Sequence, residues 1–288
     1  MKIAWIGTGV MGQSMAGHLL SAGHDLTVFS RTKGKASALL ARGAKWSASP
    51  RDAAVGAEIV CSMVGYPADV EEVFLGTNGI LHGMRSKTLC IDFTTSSPSL
   101  ALKIFKEAEK KGVAALDAPV SGGDIGAREA RLSIMVGGEF SSFNHAMPIF
   151  QCLGKTIVYQ GGAGSGQHAK MVNQIMIAGI MMGMCEGLLY ARQAKLNPEH
   201  VLASIGAGAA ASWSLANLYP RILKEDFGPG FYVEHFVKDL QIALSEAKRI
   251  KLALPALALA EKLYTQLKSG GARLGTQALI KQLEKMNK

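Results

Sequence analysis

The stretch IAWIGTGVMGQSMAGHLLSAGHDLTVFSRT, residues 3–32, decides the fold of the first half of the chain. Its glycines have G-x-G-x-x-G spacing, directly after an apolar run and at the start of a helical segment. In such a turn the first glycine permits the bend, the second lets backbone amides reach a pyrophosphate, and the third lets helix and strand pack closely. The run LTVF follows, as a strand–helix–strand unit requires. We therefore predict a dinucleotide site at Gly7, Gly9, Val10, Met11 and Gly12.

The end of the second predicted strand indicates which dinucleotide binds. An NAD site places Asp or Glu there, about 20 residues after the glycines. This chain instead has Ser30, Arg31 and Thr32, closely followed by Lys33 and Lys35. A guanidinium binds a 2′-phosphate through two hydrogen bonds, whereas a carboxylate would repel it. These residues favour NADP, and the alternative is that Arg31 stacks on the adenine and accepts either cofactor.

Short apolar runs alternate with helical segments from Lys2 to about Tyr159. The strand candidates are KIAWI, LTVF, EIVCSMV, TLCIDF, VAALDAP, LSIMVGG and TIVY. The helical pieces between them are residues 11–22, 33–42, 99–111 and 141–150. Such alternation predicts an α/β, Rossmann-type domain with a mostly parallel sheet covered on both faces.

The pattern becomes entirely helical after Gly161. The helical segments are residues 166–194, 198–205, 212–223, 235–250, 255–267 and 276–285, separated by the breakers NP, FGPGF, ALP and SGG. We therefore predict a Rossmann-type NADP-binding domain over residues 1–162. An all-helical C-terminal domain, for substrate binding and dimerisation, is expected over residues 163–288.

Composition and charge indicate which ligands and surfaces the protein binds. The formal net charge is +9, but lysines and arginines are scattered rather than clustered with aromatics, which argues against nucleic acid. A basic field also attracts an anionic cofactor and a carboxylate substrate. The uncharged run over residues 171–185 includes Asn173 and Gln174 and is shorter than the roughly 20 apolar residues that a bilayer needs. It predicts a buried core helix and no membrane span.

Cysteines and histidines indicate neither disulfides nor a metal. The 4 cysteines are widely separated and form no CxxC pair, which is typical of free thiols in a reducing cytosol. The protein is therefore expected to be cytoplasmic. The histidines have no ligand spacing with acidic partners, so no metal site is expected. An apolar helical domain of this kind, rich in methionine, suggests a homodimer or homotetramer.

One lysine is unusual. In GSGQHAKMVNQIMIAGIMMGMCEG, residues 164–187, Lys170 lies near the start of an apolar helix with no other charge before Glu186. A cation near a helix N-terminus opposes the macrodipole, at a cost of roughly 0.3 to 1 kcal/mol. Because local rules tend to fail at functional sites, Lys170 is a candidate functional residue. Asn173 and Gln174 share its helix face.

With these residues in view, the chain resembles the β-hydroxyacid dehydrogenase family, which includes 3-hydroxyisobutyrate dehydrogenase, tartronate semialdehyde reductase and the glyoxylate/succinic semialdehyde reductases. The resemblance covers nearly the whole length. It depends on GTGVMGQSMAGHLLSAGH at the start, DAPVSGG at residues 117–123, GSGQHAKMVNQ at 164–174 and FGPGFYVEHFVKDL at 227–240. It implies an oxidoreductase that interconverts a small β-hydroxyacid and its semialdehyde.

The resemblance also implies roles for residues around the substrate. Ser121, Gly122 and Gly123 would hold the substrate carboxylate, since glycines expose backbone N–H groups to an anion. Lys170 corresponds to the catalytic lysine of the family and Asn173 to the asparagine that follows it. Gln174, next to Asn173, is a further candidate for orienting the substrate.

Three more positions match residues that contact the cofactor in the family. Lys238, in KDL, corresponds to a residue that closes over the nicotinamide and the substrate. Thr95, in DFTTSSPS, matches a position beside the nicotinamide. Val64, in SMVGYPADV, belongs to a loop that contacts the adenosine-side ribose and phosphates.

The proposed reaction needs one group that exchanges a proton with the substrate oxygen, and Lys170 is the candidate. The Lys170 ammonium would protonate the carbonyl oxygen as hydride arrives from NADPH, and the neutral amine would act as base in reverse. Helix placement, desolvation and Lys238 are each expected to lower its pKa from about 10.4. Two alternatives stay open. One is an NADPH-dependent imine reductase, which usually lacks this lysine and DAPVSGG; the other is a non-catalytic NADP-binding module with a basic surface.

Overall fold

The computed structural model describes residues 1–287, which divide into two compact units, residues 1–170 and residues 171–287. The division falls within one continuous helix, Ser165–Gln193. The domain boundary predicted after residue 162 stays a prediction.

The first unit contains a nine-stranded sheet. Its strands are β1 Lys2–Ile6, β2 Asp25–Phe29, β3 Lys45–Trp46, β4 Ile59–Ser62, β5 Leu89–Asp92, β6 Ala114–Asp117, β7 Val120–Ser121, β8 Leu132–Gly138 and β9 Gly154–Gly161. They follow the order β3-β2-β1-β4-β5-β6-β8-β7, and β9 pairs with β8. The first six are parallel, while β8 runs antiparallel to β6 and β7. The predicted Rossmann-type, mostly parallel sheet is confirmed.

Seven helices accompany this sheet. They are α1 Val10–Ser21, α2 Ser37–Ala41, α3 Pro50–Ala54, α4 Pro67–Leu75, α5 Pro98–Glu109, α6 Gly123–Arg128 and α7 Phe140–Leu153, with 3₁₀ turns at Lys33–Ala36 and Ile80–His82. The sequence patterns did not predict α3, α4 and α6. Two of these three begin with proline, and α4 is closed by the Asp69 side chain, which accepts the Tyr66 N–H at 3.1 Å. Short helices of this kind form from caps rather than from apolar periodicity.

The central strands of the sheet are buried on both faces. Along β1, Ile3 and Trp5 belong to one hydrophobic cluster, while Ala4 and Ile6 belong to another. All four side chains are buried. Successive strand residues point to opposite faces, so a continuous apolar run marks a strand covered by helices on both sides.

The second unit is helical, as predicted. Helix α8, Ser165–Gln193, continues into it and is followed by α9 Pro198–Ile205, α10 Trp213–Leu223, α11 Val233–Arg249, α12 Pro255–Gly271 and α13 Leu279–Met286. A 3₁₀ turn covers Thr276–Ala278. The core of this unit is built on large side chains, among them Met181, Tyr219, Phe236, Leu240 and Tyr264.

Helix α8 is only partly the buried core helix that its sequence predicted. Met181 and Cys185 are buried, whereas Val172, Met176 and Tyr190 are exposed. By length and composition alone the helix could span a membrane, and 39% of its most apolar window is buried within the protein. The helix therefore has one face in the core of the second unit and one apolar face that this chain leaves uncovered.

Candidate active site

The glycines of the loop between β1 and α1 have different surroundings. Gly7 has a φ of +97°, and a side chain there would overlap the Met63 carbonyl. A side chain on Gly12 would overlap the Gly7 carbonyl, so this glycine brings α1 close to the strand. Gly9 faces open space, since a Cβ atom at this position would have nothing within 4 Å. The bend, the close packing and the open approach therefore fall on the positions that the spacing predicts.

Polar groups at this loop point to an anionic group. Gly9 begins α1 without a side-chain cap, so the N–H groups of the first turn, at Val10 and Met11, have no partner inside the helix. The Thr8 hydroxyl is buried and has no hydrogen-bond partner within residues 1–287. An orphan hydroxyl, free amides and an open space over Gly9 fit a pyrophosphate.

The basic residues that follow β2 lie at the surface. The Arg31 side chain is 80% exposed, and its guanidinium contacts the Asp69 carboxylate at 2.9 Å. Ser30 is buried beside it, and Thr32 and Lys35 are exposed. Lys33 Nζ lies 5.6 Å from the centre of the Trp46 ring. The predicted cofactor-discriminating group is thus held by a carboxylate of α4.

The loops after β4 and β5 are joined by hydrogen bonds. Ser62 donates to Asp92 at 2.7 Å, and the Thr94 N–H donates to the same carboxylate at 3.0 Å. The Val64 N–H in turn donates to the Thr94 hydroxyl at 2.9 Å. Thr95, the next residue, is half-buried. Asp92 therefore fixes the two loops that carry the predicted cofactor contacts Val64 and Thr95.

Lys170 lies beside the predicted anion site. Its side chain is buried, and its ammonium donates to the Val120 carbonyl at 2.8 Å. Ser121 follows Val120 directly, and Gly122 and Gly123 have φ values of +131° and +63°. The structure thus brings the lysine to the first residue of the Val120–Gly123 segment. The Val120 carbonyl is thus one partner of the charge that the helix dipole disfavours.

The first turn of α8 is held by a side chain that the sequence patterns did not single out. Gln167 donates to the Thr94 carbonyl at 2.7 Å and accepts the Ser96 N–H at 2.9 Å. Both groups belong to the loop after β5. Helix α8 therefore begins in contact with the loop that carries Thr95.

Asp117, the first residue of DAPVSGG, is a second group that was missed. Its buried carboxylate accepts the Gly164 and Gln167 N–H groups, each at 2.8 Å. Burial raises the pKa of Asp117 to about 6, against these hydrogen bonds, which lower it. Its position in the sequence could have identified Asp117, because it ends a predicted strand. In a parallel sheet, ligand-binding sites form at the carboxyl ends of the strands.

The second unit contains a separate polar chain. Asn173 donates to the Gln174 side chain and Gln174 to Asp239, each at 2.6 Å. Lys238 lies 2.8 Å from the other Asp239 oxygen. Gln174 and Asp239 are almost fully buried. Asp239, which the sequence patterns did not single out, thus links two predicted site residues, Asn173 and Lys238, by way of the Gln174 amide.

His235 lies one turn before Lys238 on α11, and its ring is near that of Tyr232. Burial, followed by the charge of Lys238, lowers the pKa of His235. The lowered pKa favours the neutral imidazole. In the sequence the histidines were considered as metal ligands and set aside, so His235 was not singled out as a polar group of this unit.

Family models match the chain almost from end to end. Residues 2–162 match the NAD binding domain of 6-phosphogluconate dehydrogenase, and residues 164–283 match the NAD-binding model of NADP-dependent 3-hydroxyisobutyrate dehydrogenase. An uncharacterized oxidoreductase of Bacillus subtilis is 52% identical over 280 residues, which cover 97% of both chains. The 2-hydroxy-3-oxopropionate reductase of Escherichia coli is 39% identical, over 99% of this chain and 98% of its own.

Solved structures match the fold of the chain. The 3-hydroxyisobutyrate dehydrogenase of Mycobacterium tuberculosis with L-serine has a TM-score of 0.91 at 30% identity, and the match covers 98% of both chains. Imine reductases of Bacillus cereus and Streptomyces aurantiacus match at 19% and 18% identity, a likeness that shows the fold alone.

A Rossmann-type domain with a dinucleotide loop, followed by a helical domain, defines the class of NAD(P)-binding oxidoreductases. Within that class the chain belongs to the β-hydroxyacid dehydrogenase family, as an oxidoreductase of the 3-hydroxyisobutyrate dehydrogenase type.

Proposed function

We propose that the protein interconverts a small β-hydroxyacid and its semialdehyde with NADP(H), and that Lys170 exchanges the proton. The observation that carries this proposal is the buried Lys170 amine, 2.8 Å from the Val120 carbonyl, directly beside Ser121. An amine and an anion-binding turn side by side are what a reaction at a carbonyl near a carboxylate needs.

The residues for the cofactor are those of the glycine loop and the end of β2. The amides of Val10 and Met11 and the Thr8 hydroxyl would hold the pyrophosphate. Arg31 would bind the 2′-phosphate, with Ser30, Thr32 and Lys35 around it, and this supports NADP over NAD. When bound, the nicotinamide supplies hydride in reduction and accepts it in oxidation.

The substrate would be held at its carboxylate. Gly122 and Gly123 have positive φ values, which glycine adopts readily, and their N–H groups together with the Ser121 hydroxyl are the proposed donors. Asn173 and Lys238 are the further polar groups proposed for the substrate. Asp239 contacts Lys238 directly and is linked to Asn173 by way of the Gln174 amide. L-serine, with which the Mycobacterium tuberculosis relative was solved, is itself a β-hydroxyacid.

Proton transfer would be the task of Lys170. In reduction its N–H donates to the carbonyl oxygen of the semialdehyde, and the amine then regains a proton from water. In oxidation the neutral amine accepts the hydroxyl proton. The Val120 carbonyl orients the Nζ atom, so the amine does not have to be ordered when substrate arrives.

The test is steady-state NADPH oxidation with methylmalonate semialdehyde, tartronate semialdehyde, succinic semialdehyde and glyoxylate. Lys170→Ala is expected to lower kcat about 100-fold or more, since general acid catalysis contributes roughly 10²- to 10⁴-fold. NADPH binding, followed by fluorescence, should be unchanged. Lys155→Ala, at an exposed lysine, is the matched control. Substantial turnover by Lys170→Ala would remove the proton role from this lysine.

The same assay separates the alternatives. An imine reductase would oxidise NADPH with a cyclic imine and not with the semialdehydes, and solved imine reductases support only the fold. A non-catalytic module would bind NADPH, oxidise it with none of the substrates, and bind DNA in a salt-dependent manner.

We further propose a cytoplasmic homodimer or homotetramer that needs neither nucleic acid nor a membrane. The uncovered apolar face of α8, with Val172, Met176 and Tyr190, supports the homo-oligomer. Exposed apolar patches on a folded chain usually mark interfaces.

A further inference from the structure

The start of α8 is capped by a residue far away in the chain. The N–H groups of a first helical turn have no partner inside the helix. At the start of α8, the N–H of Gly164, the residue before the helix, donates to Asp117 Oδ1, and the Gln167 N–H donates to Asp117 Oδ2. Both hydrogen bonds are 2.8 Å long and span 47 and 50 residues. A single carboxylate thus occupies the position that a local Ser or Asp fills in other helices.

The fit around this carboxylate is tight. A Cβ on Gly166 would lie 2.5 Å from the Asp117 carbonyl oxygen, and one on Gly137 would lie 2.6 Å from both Asp117 Oδ1 and the Gly166 nitrogen. Glycines on β8 and on the first turn of α8 are therefore what allow the helix to start against the end of β6. Little free space is left in which the helix start can shift.

The same chain segment contacts the helix twice. Asp117 holds the first turn, and Val120, three residues later, accepts the hydrogen bond from Lys170 one turn further along α8. We propose that Asp117 is a positioning residue: by capping α8 it fixes the Lys170 amine over the Val120–Gly123 segment. The inference rests on the proposed role of Lys170 and adds to it a group that never touches the substrate.

A neighbouring carboxylate provides a matched comparison. Asp92 is the register partner of Asp117 on the adjacent strand, and it is equally buried. Both line a small cavity of about 10 Å³. Asp92 accepts hydrogen bonds from Ser62 and Thr94, which both lie outside α8. Removing its charge should therefore disturb the sheet edge and the loop after β5, while both cap hydrogen bonds to Asp117 keep their acceptor.

The experiment compares Asp117→Asn with Asp92→Asn in the full-length protein. Asn has the shape of Asp but presents an NH₂ group to one of the two amides, so one cap hydrogen bond is lost. Amide hydrogen exchange should accelerate about tenfold or more in Asp117→Asn at whichever of Gly164 and Gln167 loses its acceptor, and both amides should keep their protection in Asp92→Asn. With the best semialdehyde, kcat of Asp117→Asn should fall about tenfold, while the NADPH Kd stays constant.

A double-mutant cycle shows whether Asp117 acts through the lysine. If it does, Asp117→Asn costs kcat little in a Lys170→Ala background, because the group it positions is gone. Full additivity of the two losses would overturn the proposal, and so would unchanged amide exchange in Asp117→Asn. An active Lys170→Ala would instead refute the proposed proton role while leaving the amide result to judge the cap.

A measurement on the unmodified protein covers the case in which Asp117→Asn does not fold. The Gly164 and Gln167 amide proton shifts, followed by NMR across the titration of the Asp117 carboxyl, should change together with one midpoint. Asp92 is the charged group that acts on Asp117 through space, so its own titration must be followed alongside. Two amides that do not follow the Asp117 titration would overturn the inference.

Discussion

The Arg31 guanidinium pairs with the Asp69 carboxylate in the structure and is proposed to bind the 2′-phosphate of NADP instead. Its pair with Asp69 is exposed and contributes about 1 kcal/mol at most, so the guanidinium can exchange partners. Hydrogen bonds to a charged phosphate contribute about 1.5 to 3 kcal/mol. Arg31→Ala should therefore weaken NADPH binding about 10- to 150-fold and leave NADH binding within about threefold.

Cofactor titration by fluorescence checks this prediction, with Arg51→Ala at an exposed arginine as the control. The alternative role of Arg31, stacking on the adenine, predicts equal losses for NADPH and NADH, because both carry the same base. An equal loss would thus assign Arg31 to the adenine and remove the argument for NADP.

Asp117 should also be visible in the pH dependence of stability. Its pKa is raised to about 6 in the folded chain by burial, so between its ordinary value of 3.8 and 6 the folded state holds the proton more tightly than the unfolded state. The contribution of Asp117 to stability is therefore highest below this window and falls as pH rises through it, by about 3 kcal/mol in total. Asp117→Asn should lack this loss.

Denaturant unfolding of both proteins at several pH values between about 4 and 7 measures the difference. Asp226 offers a control of opposite sign. A hydrogen bond from Arg221, followed by one from the Gly228 N–H, lowers the pKa of Asp226 to about 2, so Asp226→Asn removes a contribution that is lost only as pH falls. Parallel curves for the unmodified protein and Asp117→Asn would contradict the prediction.

At the scale of elements, the contact between the start of α8 and the sheet requires glycines, because a larger side chain would not fit there. Gly166→Ala would push a methyl group against the Met135 and Asp117 carbonyls, so the first turn of α8 must move. Overpacking of this kind typically costs about 1 to 3 kcal/mol. We expect a lower free energy of unfolding and a lower kcat. Gly162→Ala, where nothing lies within 4 Å, should change neither in denaturant unfolding and NADPH oxidation assays.

Elements with strong local signals were predictable from the sequence, and those that depend on distant partners were not. The apolar runs around β1 and β2 and the glycines between them define a strand–helix–strand unit on their own. Strand β3 is only the pair Lys45–Trp46, and it exists because β2 lies beside it. Nothing in two residues signals such a pairing.

In the candidate active site, too, the residues in local motifs were predictable and those that depend on distant partners were not. Motifs pointed to Lys170, Ser121 and Lys238, because each stands in a characteristic run. Asp117 and Asp239 were missed as supporting groups, since their partners lie 47 to 65 residues away and meet them only in the folded chain. Local sequence can identify a reactive side chain, but the groups that hold it depend on tertiary contacts.

For the whole molecule, the question of assembly centres on one face of α8. Val172, Met176, Gly179, Gly183 and Tyr190 are exposed and recur at alternating spacings of three, four and seven residues, which places them along one side of the helix. Tyr190 is 75% exposed, unusual for a tyrosine in a folded domain. The glycines have open space above them and would allow another helix to approach closely.

Gly183→Leu therefore distinguishes a free face from an interface. On a free face the change should stabilise the helix by about 1 kcal/mol, because glycine is a poor helix former. Against a second copy of the chain, the leucine would fill the space that the partner needs, so the mass measured by light scattering should fall from that of an oligomer to that of one chain. Gly270→Leu, at an exposed glycine of α12 with equally open surroundings, should leave the mass unchanged. If the unmodified protein is monomeric, the proposed oligomer is refuted. If the protein instead co-sediments with lipid vesicles, and Gly183→Leu still does so, the apolar face of α8 is assigned to a membrane.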